Sequence, residues 1–214
     1  MRRAALVFVF AVFALTCRAA FAQDPPPPLP RVVVDLHGLI PSFPNDAVQL
    51  ASSRGLSISE LPGAGFGGRA GVHLYLFKIR VVTVGVGGEA TYSGSGSTPV
   101  EGTTGLVPVS ERLRTAAGQL SLNFGSGHGW SYLSGGAGRS QWSLHAAGDP
   151  DSSADTESLP TVNYGGGARW FAKKHLAFSV DVRLYEIQPG SPSGARPGSP
   201  RTRLFVVGAG ISLK

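Results

Sequence analysis

Eight segments of alternating polarity, joined by connections that are alternately long and short, constrain the fold of this chain more than any other feature. A period of two sends successive side chains to opposite faces, which predicts β-strands rather than helices. The segments occupy 31–40, 63–76, 81–93, 112–124, 130–141, 161–171, 175–187 and 202–213. No segment follows the helical period, and the 30 glycines disfavour helix interiors by about 1 kcal/mol each relative to Ala.

The connections between these segments predict how the strands are arranged. Residues 77–80, 125–129 and 172–174 form short turns, whereas 41–62, 94–111, 142–160 and 188–201 form long loops rich in Pro, Gly, Ser and Asp. Such alternation is typical of a barrel that crosses a membrane, with short turns on the periplasmic side and long loops outside. The sequence therefore predicts an all-β, eight-stranded antiparallel up-and-down transmembrane β-barrel.

The alternation also sorts the side chains of each strand onto two faces. In the segment 175–187, one face carries Leu176, Phe178, Val180, Val182 and Leu184, and the other carries Ala177, Ser179, Asp181, Arg183 and Tyr185. This pattern alone leaves two arrangements open. A soluble barrel of the lipocalin type encloses its apolar face around a ligand, whereas an outer-membrane barrel turns that face outward into lipid.

The N-terminal segment has the features of a secretory signal peptide. Arg2 and Arg3 precede an apolar run that is too short to span a bilayer, and a small-x-small cleavage site follows at 20–22. We therefore predict a signal peptide at 1–22 cleaved near Ala22, a Pro-rich lead-in at 23–30 and an outer-membrane barrel domain at 31–214. Export and the loop pattern together favour the lipid-facing arrangement and a location in the outer membrane of a Gram-negative cell.

Composition excludes several other classes of protein. Only 15% of the residues are charged, whereas the surface of a soluble domain alone would need roughly 25–35%. Loss of the leader removes three arginines and leaves 16 basic against 13 acidic residues without a basic cluster, so we expect no nucleic-acid partner. The leader also contains the only cysteine, Cys17, which excludes disulfides, thiolate metal sites and a cysteine nucleophile from the mature chain.

Aromatic residues lie close to the three short turns, where an outer-membrane barrel carries an interfacial aromatic girdle. The predicted girdle residues are Phe77, Phe124, Trp130, Trp170 and Phe171. Their position is a third reason to expect the apolar face to meet lipid.

If the apolar face is outside, a polar network must fill the lumen, because an eight-stranded barrel is only wide enough for its own side chains. The predicted network consists of Asp35, His37, Arg69, His73, Glu89, Gln119, Arg169, Asp181 and Arg183. We expect its three arginines to pair with its three carboxylates and so neutralise the buried charge. The alternative is a gated pore, in which one of these pairs exchanges partners.

The chain resembles the small outer-membrane β-barrels of the OmpA transmembrane-domain and OmpX type over about residues 31–214. The eight-segment layout carries the resemblance, together with the strings GGGARWF at 165–171 and LAFSVDVRLY at 176–185. The resemblance implies a monomer that contacts outer-membrane lipids and uses the barrel assembly machinery during biogenesis. The chain departs from the family at its end, which reads ISLK rather than closing on Phe, and no peptidoglycan-binding domain follows.

These features favour a non-enzymatic barrel with a structural or surface-interaction role through its four long loops. A small gated pore or transporter of small or apolar molecules is the alternative. Two further alternatives are a soluble periplasmic ligand-binding barrel and a lipid-modifying hydrolase, for which Ser143, His145 and Asp149 offer the required residue types. We expect no catalytic site, no cofactor and no bound metal.

Overall fold

The computed structural model is a closed barrel of eight antiparallel strands, in which β1 pairs with β8. The structure describes residues 27–44, 48–98, 106–146, 156–194 and 197–214, so the predicted signal peptide and residues 23–26 of the lead-in lie outside the described residues. The strands are β1 Val32–Ser42, β2 Phe66–Ile79, β3 Val82–Ser97, β4 Val109–Ser126, β5 Gly129–Ala146, β6 Leu159–Phe171, β7 Leu176–Ile187 and β8 Thr202–Leu213. The predicted fold class is confirmed.

Short turns and long loops gather at opposite ends of the barrel. Residues 80–81, 127–128 and 172–175 connect strands at the short-turn end, whereas 43–65, 98–108, 147–158 and 188–201 connect them at the long-loop end. β4 and β5 extend further into the long-loop end than the sequence pattern indicated, to Val109 and Ala146. Val109 and Glu111 of the β4 extension both face inward, and β5 is buried at four successive positions from Trp142 to His145, so neither extension shows an alternation of polarity.

The first long loop contains a helix that the sequence analysis did not predict. The helix α1 spans Val48–Ser53, and a 3₁₀ turn follows at Ile58–Glu60. Six residues are too few to display the helical period, so this helix left no signal in the sequence. Among the residues described, no helix is long and apolar enough to cross a membrane.

The outer face of the barrel is an apolar belt. Its outward-facing side chains include Val34, Leu74, Leu122, Val180 and Ile211, all of which are exposed. On β4 the belt runs through the outward positions from Ala116 to Phe124, and Arg114 follows it toward the long-loop end. The apolar face therefore points outward, and the lipocalin-like arrangement does not apply.

The interior of the barrel is divided into three layers along its axis. The upper apolar layer, at the long-loop end, contains Leu39, Phe43, Leu50, Ala51, Leu61, Val109, Leu113, Trp142, Leu144, Leu159, Tyr185, Ile187, Leu204 and Val206. The lower apolar layer, at the short-turn end, contains Val33, Tyr75, Trp130 and Tyr132, with Leu29 and Phe171 packed against it. A charged layer lies between them and is the site described next.

Candidate functional site in the barrel lumen

Three arginines and three carboxylates face one another in the charged layer. The arginines come from β2, β6 and β7, and the carboxylates from β1, β3 and β7; they are Arg69, Arg169, Arg183, Asp35, Glu89 and Asp181. Each is at most 7% exposed. The period of two turns all six inward, because each lies on the polar face of its strand. Equal numbers of opposite charges leave this layer formally neutral.

Asp181 is held by donors from three different strands. Its Oδ1 accepts a hydrogen bond from Nη1 of Arg69 at 2.7 Å. Its Oδ2 accepts from the hydroxyl of Tyr132 at 2.9 Å and lies 3.3 Å from Nη2 of Arg183. Three donors from three strands therefore satisfy a carboxylate that has been removed from water, as a buried charge requires.

Arg183 connects Asp181 with the second carboxylate of this group. Its Nη1 lies 3.6 Å from Oε2 of Glu89, while Oε1 of Glu89 accepts from the hydroxyl of Tyr185 at 3.1 Å. Arg69 also approaches Glu89, at 3.9 Å. Two guanidinium groups thus lie between two carboxylates, an alternating arrangement in which every charge has opposite neighbours.

Neutral side chains also accept hydrogen bonds from Arg183. Its Nη1 donates to Oδ1 of Asn163 at 2.7 Å and to Oε1 of Gln119 at 2.9 Å, and its Nη2 donates to Oγ of Ser134 at 2.9 Å. Nε2 of Gln119 donates to the same Asn163 oxygen at 2.9 Å. These bonds hold the guanidinium in one orientation.

A second ion pair lies nearer the short-turn end. Arg169 forms a two-point contact with Asp35, whose Oδ2 also lies 3.1 Å from Nε2 of His73. Nη1 of Arg169 donates to the hydroxyl of Tyr75 at 3.2 Å. The guanidinium carbon lies 4.4 Å from the ring centroid of Tyr132, a cation–π distance.

Hydrogen bonds join the two ion-pair groups. His37 contacts Nη2 of Arg69 through Nδ1 and Oγ of Ser179 through Nε2, the latter at 2.6 Å. Ser179 lies 3.2 Å from Ser212, whose hydroxyl contacts Asp35. The structure thus brings all nine predicted lumen residues into one buried layer.

Several members of this network were not among the nine predicted lumen residues, although the alternation places Ser179 and Tyr185 on the polar face of their strand. They are Tyr75, Tyr132, Ser134, Asn163, Ser179, Tyr185 and Ser212. Their sequence positions contained the signal, since each lies two residues, or a multiple of two, from another inward-facing residue of its strand. Gly167 makes room for one of them: a Cβ there would lie 2.7 Å from the Tyr132 hydroxyl.

Three of the five predicted girdle residues point outward, and the other two lie in or against the lower apolar layer. Phe77, Phe124 and Trp170 point outward and are 40–54% exposed. Trp130 is only 3% exposed and lies in the lower apolar layer, where Phe171 stacks on it at a centroid distance of 5.4 Å. The prediction was wrong for these two residues, because proximity to a turn says nothing about which face a strand position presents.

Segments outside the strands cover both apolar layers. Leu50 and Ala51 of α1 are at most 2% exposed and pack into the upper layer. Leu29 of the lead-in packs against the lower layer, and the amide of Gly127 donates to the Pro27 carbonyl at 2.7 Å. The chain therefore places its own residues over each end of the charged layer.

Two of the three residues that suggested a hydrolase lie in β5. Ser143 and His145 are buried in β5, and Asp149 lies outside the described residues. In the part of the chain that the structure describes, no group of three or more His, Cys, Asp or Glu side chains could hold a metal ion.

Comparison with known proteins identifies the family. The model of the outer membrane protein beta-barrel domain matches residues 8–212. The chain belongs to this family. Membership assigns the barrel to the outer membrane and confirms the resemblance to small outer-membrane barrels. A search of curated protein sequences finds no match.

Solved structures show the same fold at low sequence identity. The Neisserial surface protein A is 13% identical, with a TM-score of 0.58, and the match covers 86% of this chain and 97% of that one. The outer membrane protein OprG from Pseudomonas aeruginosa is 11% identical, with a TM-score of 0.50, and the match covers 89% and 98% of the two chains. These likenesses concern the fold alone.

Proposed function

We propose that this chain is a closed, non-conducting outer-membrane barrel that acts at the cell surface through its long loops. The observation that carries the proposal is the order of layers in the lumen. A neutral, hydrogen-bonded charged layer lies between two apolar layers, and α1 and the lead-in pack against these. A solute would have to displace apolar side chains at both ends as well as the ion pairs between them.

The cost of breaking the charged layer supports closure. Separating Arg69 from Asp181 leaves a buried charge without its partner, and such a loss costs about 3–5 kcal/mol. Each of the six charged groups has at least one opposite charge within 4 Å. An opening would have to break several of these pairs at once, so the closed form dominates.

Contacts between loops support a surface role. The side chain of Glu60, in the first loop, accepts hydrogen bonds from the amides of Ser57 and of Val107 in the second loop, at 2.6 and 2.7 Å. Glu157 of the third loop likewise accepts the amide of Ser191 in the fourth at 2.7 Å. The described parts of the loops are thus tied to one another and offer an ordered surface.

In this proposal the loops face the outside of the cell and the turns face the periplasm. The apolar belt contacts outer-membrane lipids, the chain acts as a monomer, and the barrel assembly machinery inserts it. No chemical step is assigned to the lumen, because its charged groups are engaged with one another and covered at both ends.

Single-channel recording in planar bilayers tests closure. The refolded protein, shown to be folded by a faster unboiled band on a denaturing gel, should give no discrete openings. Regular openings from the folded band would overturn the proposal and indicate a pore.

Labelling of intact cells tests the orientation. Ser59→Cys lies in the first loop and Lys173→Cys in a short turn, and both positions are exposed. A membrane-impermeant maleimide should label Ser59→Cys only, with the unsubstituted chain as the blank. Labelling of Lys173→Cys instead would reverse the proposed orientation.

A further inference from the structure

Three arginines form an outward-facing group just beyond the apolar belt, at the long-loop end. Arg112 and Arg114 lie two residues apart on the outer face of β4, and Arg139 lies on the outer face of β5. Arg114 is paired with Gln141, so Arg139 is its diagonal neighbour, at a separation of about 7–8 Å. All three side chains are exposed. We call this group the arginine face.

Among the described residues, no carboxylate neutralises the arginine face, although Nη1 of Arg139 donates to the carbonyl oxygen of Ser158 at 2.9 Å. No described carboxylate lies within ion-pair distance of its guanidinium groups, since none of the ion pairs formed by the described residues includes them. Two other outward arginines show the contrast, because Arg201 and Arg203 lie 2.8 and 3.4 Å from Glu186. The guanidinium of Arg114 lies over an aromatic ring instead, 5.6 Å from the centroid of Tyr92.

Two surface grooves meet at Tyr92. The upper groove, of about 370 Å³, is lined by glycines and a serine of β3, by Phe66, by Arg112 and by Glu111, whose carboxylate accepts a hydrogen bond from Trp142 inside the barrel. The lower groove, of about 560 Å³, runs down the apolar belt and is lined by Leu36, Gly68, Ala70 and Ala90. On the outer surface, Arg112 and Phe66 therefore lie above this tyrosine, and small and apolar residues lie below it.

The packing of the barrel does not require glycine at position 68, which lines the lower groove. A Cβ at Gly68 would meet only the His37 carbonyl oxygen, at an ordinary 3.7 Å. A larger side chain would therefore fit at this position without disturbing the strands. The smooth surface is free to serve a contact outside the chain.

We propose that the arginine face and the two grooves bind a phosphorylated glycolipid of the outer leaflet. The phosphate groups of its headgroup contact Arg112, Arg114 and Arg139, and one acyl chain lies in the lower groove. The inference takes the orientation given under the proposed function and does not depend on whether the lumen is closed.

The chemistry of the three arginines fits phosphate at a membrane border. Guanidinium groups bind phosphate oxygens in a bidentate manner, and such charge-assisted bonds are roughly twice as strong as neutral ones. Tyrosine prefers the interface between lipid headgroups and acyl chains. In the proposed complex, Tyr92 lies at this interface, because it lines both grooves. The arginines lie where lipid phosphates must lie if the belt spans the hydrocarbon.

The test is retention of bis-phosphorylated lipid A by the folded barrel, measured by native mass spectrometry from detergent micelles. The triple variant Arg112→Gln/Arg114→Gln/Arg139→Gln should bind lipid A at least about tenfold more weakly, because each charged hydrogen bond lost costs the equivalent of about one decade in affinity. The matched control is Arg201→Gln/Arg203→Gln, which removes two outward arginines already paired with Glu186. This control should bind like the wild type.

A second pair of variants tests the acyl-chain groove. Gly68→Leu fills the lower groove and should weaken lipid A binding, while binding of the soluble headgroup glucosamine 1-phosphate stays unchanged. Gly135→Leu is the control, since a Cβ there also meets only a carbonyl oxygen, at 3.7 Å, but outside the groove. Equal loss of both ligands in Gly68→Leu would overturn the groove assignment.

Several results would overturn the proposal as a whole. The first is binding of lipid A by the folded triple variant as tightly as by the wild type, and the second is an equal loss of binding in the Arg201→Gln/Arg203→Gln control. The third is a lipid-free dimer that forms in the wild type but not in the triple variant, which would assign this face to a second copy of the chain. The gel shift verifies folding of every variant. Conductance and cell labelling test the proposed function separately, so the two proposals can fail independently.

Discussion

Arg69 on β2 and Asp181 on β7 meet inside the barrel, with Nη1 of the arginine 2.7 Å from Oδ1 of the aspartate, although 112 residues separate them in sequence. β1 and β8 lie between their strands in the sheet, so the pair ties together walls that share no backbone hydrogen bonds. Both side chains are almost fully buried. This tie is the central contact of the charged layer.

Removing either member of this pair should destabilise the barrel. We expect Arg69→Ala or Asp181→Ala to lower the free energy of unfolding by about 3–5 kcal/mol, because the remaining charge stays buried without its partner. The double variant Arg69→Ala/Asp181→Ala should lose less than the two single variants together. Urea unfolding in detergent measures all three. Strict additivity would show that the two side chains act independently, and Arg201→Ala, in an exposed pair, serves as the control with little expected effect.

Helix α1 should open selectively when its buried anchor is shortened. Leu50→Ala removes a side chain that is 1% exposed, and a cost of about 2 kcal/mol raises the open population of this loop about 30-fold. Trypsin should then cleave after Arg54 faster, while the gel shift of the barrel stays intact. Val48→Ala, at an exposed position of the same helix, should leave the cleavage rate unchanged. Equal cleavage rates in the Leu50→Ala and Val48→Ala variants would contradict the packing of α1 into the long-loop end of the barrel.

The contact between the first two loops should weaken in acid. Hydrogen bonds from the amides of Ser57 and Val107 lower the pKa of the Glu60 carboxyl from its ordinary 4.5. The stabilisation is therefore complete above about pH 4.5, which is the unfolded value, and is lost as the pH falls through the lowered pKa. Hydrogen exchange at the Val107 amide, followed against pH, measures this loss.

Two substitutions distinguish loss of the Glu60 contact with Val107 from a general increase in loop mobility. Glu60→Gln should abolish the pH dependence of this protection and lower it at neutral pH, because the amide does not titrate and only one of its two terminal atoms can accept. Glu157→Gln, which affects the contact between the third and fourth loops, should leave that amide protected. Protection that stays pH-independent in the wild type would contradict the role of Glu60.

The three tryptophans should report on opposite faces of the barrel wall. Trp170 is 54% exposed, whereas Trp130 and Trp142 are 3% and 2% exposed. In vesicles of brominated lipid, we expect quenching of the Trp170 fluorescence only. Trp170→Phe should therefore abolish most of the quenching, and Trp130→Phe should leave it intact. Strong quenching in Trp170→Phe would place another tryptophan in contact with lipid.

Much of the fold could be predicted because β-structure in a barrel wall follows local rules. A period of two identifies each strand and its faces, and loop length identifies the two ends. Helix α1 was missed because its stability comes from packing of Leu50 and Ala51 into the upper apolar layer, and its own sequence shows no helical period. The same local rules identified the polar residues of the lumen, since each lies on the polar face of its own strand.

The sequence by itself determined which residues of a strand share a face and that the charges on the polar faces balance, because both properties depend only on alternation along single strands. The tertiary structure alone decided which arginine meets which carboxylate, as in the contacts of Asp181 with Arg69 and of Asp35 with Arg169. It also decided that Trp130 closes the lumen rather than facing lipid. The physical reason is closure: the register of all eight strands sets the height of every inward side chain, and only the closed barrel brings distant strands within contact.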